Sequence, residues 1–143
     1  MHYFAKFVPD GEGFVVTFPS IPEAVTGGAS RNEALENAAD AMEVALLTYA
    51  SDGRPLPTEP VRPQSGGSYF RIPVSATVTA KLAFISAFHS SGLTRVALAG
   101  RLGKAEGEIR RMLDPYHRTK LASLEAGLRA LGKRLVVTVE EAA

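Results

Sequence analysis

The chain has 143 residues, 45% of them hydrophobic, a formal net charge of +1 and no cysteine. That is enough apolar material for one domain or two small ones, and the lack of cysteine excludes disulfides and thiolate metal sites and fits a reducing compartment. The opening MHYFAKFVPDGEG has no basic segment followed by a long apolar one, and nowhere do about 18 uncharged apolar residues run together. Neither export nor membrane insertion is expected, and the cytoplasm is the default location. The near-neutral total hides a split: residues 1–75 hold 5 Lys+Arg against 9 Asp+Glu, net −4, whereas residues 76–143 hold 11 against 6, net +5. The basic half carries the charge expected of something that meets phosphate, and the acidic half suits a basic protein partner or none.

In chain order, MHYFAKFVP and GFVVTFPSI are apolar, β-branched runs joined at Asp10-Gly11-Glu12-Gly13, which predicts a hairpin. After TGGA, Ser30 followed three residues later by Glu33 is a capping-box helix start. The helix carries Leu35, Ala38, Met42, Ala45, Leu46 and Tyr49 on one face, which should pack on the hairpin. DGRPLPTEPVRPQSGG has four prolines and three glycines and reads as a loop. SYFRIPV then reads as a strand, and the order β-β-α-β implies a small α+β sandwich with the last strand free to lie beside the first.

No spacing in this half supports catalysis. A two-metal nuclease needs several carboxylates converging on one buried point, but Asp10 and Glu12 flank turn glycines, Asp40 and Glu43 lie off the apolar helix face, and Glu23 stands apart. His2, His89 and His117 are scattered, and no Ser/His/Asp grouping, phosphate-binding glycine motif or His-x-x-x-His pair occurs. No catalytic residue, metal ligand or cofactor is expected.

The stretch TFPSIPEAVTGGASRNEALENAADAMEVALLTY has a strand ending in a Pro-x-Ile-Pro step, a small polar turn, and a helix opening Ser-x-x-Glu-Ala. Through Pro19, Ile21, Pro22, Thr26, Ser30, Glu33, Ala34, Asn37 and Ala38 it resembles the HicB antitoxin family, over roughly residues 1–75. Where that family has an aromatic residue or a cysteine near the turn, this chain has Glu23-Ala24-Val25. The resemblance implies a degenerate RNase H-like fold without nuclease chemistry, which binds a small mRNA-cutting toxin of the HicA family.

The basic half contains GLTRVALAGRLGKAEGEIRRMLD, two short helices broken at Leu102-Gly103-Lys104. With Arg95 as the first position of a helix-turn-helix, Ala99 falls at the fifth, Gly103 at the ninth and Ile109 at the fifteenth. Those places need a small residue where the helices cross, a glycine with positive φ in the turn, and a β-branched plug under the second helix. Leu98, Leu102 and Leu113 supply the remaining core contacts. Flanking helices are read in TAKLAFISAFHSSG, with Leu82, Ile85 and Phe88 at core spacing, and in RTKLASLEAGLRALGK, with Leu121, Leu124, Leu128 and Leu131. This all-α domain is similar to the lambda-repressor-like group, which HicB proteins that repress their own operon often carry at the C-terminus.

In that frame the second helix begins near Ala105. Glu106, Gly107 and Arg110 face the major groove, with Lys104 and Ala105 at its head and Arg111 toward its edge. Thr94, as N-cap of the first helix, and Arg95, His117, Arg118 and Lys120 are expected to meet phosphates. The closing RLVVTVEEA alternates Leu135, Val137 and Val139 on one side. A lone strand cannot satisfy its own backbone, so it should pair with the N-terminal sheet or with a second copy, making these three residues the dimerisation face.

The combined expectation is an α+β antitoxin, not an enzyme. Residues 1–75 would bind and block a HicA-like toxin, and residues 76–143 would bind operator double-stranded DNA as a homodimer or higher even oligomer, with no membrane partner. The runner-up is a stand-alone helix-turn-helix regulator whose N-terminal module senses a ligand or assembles subunits, and an RNase H-like nuclease is third.

Overall fold

In the computed structural model, which describes residues 1–58, 63 and 68–142, the chain divides into two compact units, Met1–Ser75 and Ala76–Ala143. The described residues form an α+β protein with four strands in one antiparallel sheet and five helices.

In the first unit, β1 (His2–Asp10) and β2 (Gly13–Phe18) form the expected hairpin, closed by the Asp10–Gly13 pair. The next segment departs from expectation. Ile21–Gly28, read from the sequence as the end of a strand and a polar turn, is a third strand, β3, so the order before and after the helix is β-β-β-α-β rather than β-β-α-β. The reasons are local. Pro19-Ser20 makes the turn that lets Phe18 pair with Ile21, and β3 is an edge strand in the order β3-β2-β1-β4, where the missing N–H of Pro22 is tolerated. The glycines that suggested a turn serve close approach instead: a Cβ on Gly28 would stand 2.5 Å from the Ala34 backbone nitrogen, where only a glycine lets strand and helix meet.

Helix α1 (Arg31–Ser51) starts at Ser30, whose hydroxyl accepts from the Glu33 amide at 3.2 Å. It buries Ala34, Ala38, Met42, Ala45, Leu46 and Tyr49 and packs mainly on β3 and β2. Leu35 is only half-buried, its expected place taken by Ala34. Asn37 Nδ2 donates to Gly27 O at 2.7 Å, tying α1 to the edge strand. β4 (Tyr69–Pro73) pairs antiparallel with β1. Of the loop expected over 52–67, residues 59–62 and 64–67 lie outside the described residues.

In the second unit, α2 (Ala76–Ser91), α3 (Arg95–Leu102), α4 (Glu106–Leu113) and α5 (Leu121–Ala130) enclose a core of Ala80, Phe84, Phe88, Leu98, Ala99, Ile109, Met112, Leu124 and Leu128. Phe84 and Met112 are central to it although neither stood in the expected stripes, and Leu121, expected inside, is exposed. Leu102, Leu113 and Leu131 line its edge.

Of the two pairings open to the expected C-terminal strand, the one with the N-terminal sheet does not form: residues 133–142 adopt no regular structure in the single chain, and the four-stranded sheet contains no strand from this segment. Leu135 packs against the helical core instead, while Val137 and Val139 are exposed at 58% and 94%. Alternating side chains favour a strand only where an edge is available to pair with.

Candidate functional site

The α3–α4 junction is built from a few local rules. Thr94 caps α3, its hydroxyl accepting from the Ala97 amide at 3.1 Å. Gly103 ends that helix at φ 62°, in the left-handed region where a side chain would be strained, and the Lys104 amide folds back to Ala99 O at 3.0 Å. Ala99 and Ile109 are buried at the crossing of the two helices. Short as α4 is, its charges suit its dipole, with Glu106 and Glu108 in the first turn and Arg110 and Arg111 in the last.

Glu106 joins the two helices. Its carboxylate takes Arg95 Nε at 3.1 Å from α3 and an Arg110 guanidinium nitrogen at 2.8 Å from α4. From the sequence Glu106 was expected on the groove side beside Gly107 and Arg110; in the structure it pairs with both Arg95 and Arg110. The pairs are partly exposed, with Arg110 at 65%, so each contributes only a few tenths of a kcal/mol, about 0.3–0.5 for a pair one helical turn apart. Lys104 is engaged in the same way with Glu108 at 3.5 Å, a Cβ on Gly107 would meet the Arg111 guanidinium at 3.9 Å, and Arg111 is exposed.

Beyond α4, Asp114 Oδ1 accepts from the Tyr116 amide at 2.9 Å and Asp114 O from the His117 amide at 3.1 Å. This turn carries His117 and Arg118, both exposed, to Lys120, the exposed N-cap of α5. Arg95, Glu106 and Arg110 are thus brought together by the two ion pairs, Thr94 caps the start of α3 and Ala105 the start of α4, while His117, Arg118 and Lys120 follow the end of α4. Two residues tied to this arrangement escaped the sequence reading. Arg101 donates to Ala130 O at 3.2 Å, and Lys81 of α2 is buried against the end of α4.

The first unit offers two surfaces and no cluster of metal-ligating side chains among the described residues. On the sheet face away from α1, the register places Lys6, Thr17 and Val25 in one row and Val8 and Val15 in the next, and the three valines are exposed. At the β3 edge, Tyr49 donates to Glu23 at 2.7 Å and Arg54 lies over the Tyr49 ring, 3.9 Å from its centroid, while pairing with Glu23 at 3.1 Å. The bond from Tyr49 holds the Glu23 carboxyl below its usual range and pushes the tyrosine hydroxyl up. These groups line a cleft of about 320 Å³ with Val25 and Val44. None of this resembles a converging set of catalytic carboxylates. Among the described residues no single helix is long and apolar enough to cross a membrane.

The chain thus holds two small units, one a sheet covered by a single helix and one a bundle of short helices that exposes Arg110, Arg111, Arg118 and Lys120. Residues 2–83 match the family described as HicB_like antitoxin of bacterial toxin-antitoxin system. The chain is 38% identical over 135 residues to Antitoxin HicB 2 of Photorhabdus laumondii, covering 94% of each chain. It is 36% identical to Antitoxin HicB of Pseudomonas fluorescens, over 99% of this chain and 97% of the relative. To Antitoxin HicB of Escherichia coli K12 it is 36% identical, over 94% and 96%. The chain belongs to the HicB-like antitoxin family, and the likeness runs through both units.

Proposed function

We propose that the chain is the antitoxin of a HicAB-type toxin-antitoxin system: its first unit binds and neutralises a HicA-like mRNA-cutting toxin, and its second binds operator DNA and represses the operon. In this reading Met1–Ser75 is a degenerate RNase H-like domain that acts as a binder, not an enzyme. Ala76–Ala143 is a lambda-repressor-like helix-turn-helix domain with α4 as the recognition helix.

The observation that carries the DNA half is the α3–α4 junction, where a left-handed Gly103, a small Ala99 at the crossing and a buried Ile109 coincide with Arg110 and Arg111 on the exposed side of α4. Arg110 reads a base, while Thr94, Arg95, His117, Arg118 and Lys120 hold phosphates. The toxin half is supported by the family and by the exposed valines of the sheet, an apolar surface of the kind that protein partners cover. The test is co-purification with the product of the neighbouring gene, followed by a gel shift on the DNA upstream. Both succeed if the reading is right. Capture of the toxin without any shift leaves only the antitoxin half standing.

Half-site recognition calls for two copies. Residues 134–142, which join no strand of the described sheet, are the segment proposed to join them, with Leu135, Val137 and Val139 pairing against a second subunit. Deleting residues 134–143 should yield monomers by light scattering and weaken operator binding, which depends on both half-sites together. A dimer that survives the deletion moves the interface elsewhere.

A further inference from the structure

Lys81 shares a helical face with Phe84, Ile85 and Phe88, which are all buried, and is itself only 4% exposed. Its ammonium donates to Thr119 Oγ1 at 2.6 Å and to Met112 O at 2.8 Å, with Arg111 O at 3.5 Å. Met112 belongs to the last turn of α4, so Lys81 satisfies a carbonyl that a helix end leaves without an intrahelical partner, and it lies at the negative end of the α4 dipole. Thr119 is on the far side of the following turn, between Arg118 and Lys120. Burial lowers the ammonium to about 8, against the pull of Asp114 in the opposite direction. A charge buried at that cost joins α2 to two segments that an apolar side chain could pack against but not hold.

We infer that Lys81 is a positioning residue for DNA recognition. It fastens the C-terminal end of α4 to the segment bearing His117, Arg118 and Lys120, so that the base-reading arginine and the phosphate-holding groups meet one duplex in one register. Being enclosed, it touches no DNA itself. The inference rests on the DNA-binding reading above and deepens it.

The test compares the full-length protein with Lys81→Met and Thr119→Val. Both variants should keep their helical circular dichroism, while amide hydrogen exchange over residues 114–119 speeds up by about tenfold or more, as expected when a buried bond to a charged group is lost. Operator affinity should fall by about the same factor relative to random DNA. The salt dependence of binding should keep its slope, because no phosphate contact is removed. Should Lys81→Met fail to fold, Thr119→Val, which removes a single hydroxyl, decides the matter with the same expected loss. Folded variants with wild-type operator preference overturn the inference and leave the DNA reading intact, whereas a slope flattened by about 0.9 means that Lys81 meets a phosphate directly and overturns it as well. Wild-type protein that binds no operator removes the parent reading and this one with it.

Discussion

Leu98→Ala is expected to abolish operator binding while toxin neutralisation persists. Leu98 is fully buried at the centre of the second unit, among Phe84, Ile109, Met112 and Leu124. Truncating a leucine in such a place costs about 2–5 kcal/mol, the transfer term plus the cavity left behind. Small domains hold only about 5–15 kcal/mol in all, and the second unit, with four short helices and one core, belongs at the low end. Isolated helices shorter than about 12 residues do not persist in water, so α3 and α4, at 8 residues each, lose their geometry once the core loosens. The first unit has its own core of Phe7, Val16, Phe18, Met42 and Leu46 and is untouched by the change. Thermal denaturation should show one early transition and one unchanged. Gel shift should show no operator complex, and cells carrying the toxin should still grow. Loss of growth rescue would mean that the second unit takes part in toxin binding.

Arg110→Ala should act quite differently, leaving the fold intact and erasing preference for one base pair. The side chain is exposed and its bond to Glu106 is worth a few tenths of a kcal/mol, so stability hardly changes. Losing a bidentate contact to guanine O6 and N7 costs about 1–3 kcal/mol on the operator and nothing comparable on random DNA. Lys120→Ala serves as the contrast. A lost phosphate contact weakens both duplexes alike and flattens the log–log salt slope by about 0.9. Salt titrations of both variants on operator and random DNA separate the two roles, and an Arg110→Ala that weakens both duplexes equally would displace α4 from the major groove.

What the sequence made legible was whatever a few neighbouring residues decide. Ser30 and Thr94 cap helices because a hydroxyl reaches an amide three residues on, and Gly103 ends α3 because the turn requires positive φ. β3 was missed because Pro22, Gly27 and Gly28 look like turn residues. Their tolerance at an edge strand and the close approach of β3 to β2 and α1 exist only in the assembled sheet. The C-terminal alternation LVVTV describes a strand, but a strand also needs a partner edge, and within the single chain the segment takes none from the sheet. Within the candidate site, Arg95, Glu106 and Arg110 were named from spacing, but the bridge that Glu106 makes between the two arginines depends on how α3 and α4 cross. Lys81 did leave a signal: it falls three, four and seven residues before Phe84, Ile85 and Phe88, on the buried stripe of α2. A lysine in that place implies an acceptor waiting for it, although only the fold reveals that the acceptors are Met112 and Thr119.

The central claim, two binding functions carried by separate units, is tested most directly inside one strain that holds the toxin gene, the native promoter fused to a reporter, and the full-length protein carrying Arg110→Ala. Growth and reporter output are read from the same cultures. Growth equal to that with the wild-type antitoxin is expected, together with a promoter released from repression. Growth arrest with the promoter still repressed, or loss of both functions from a variant that remains folded, would contradict it.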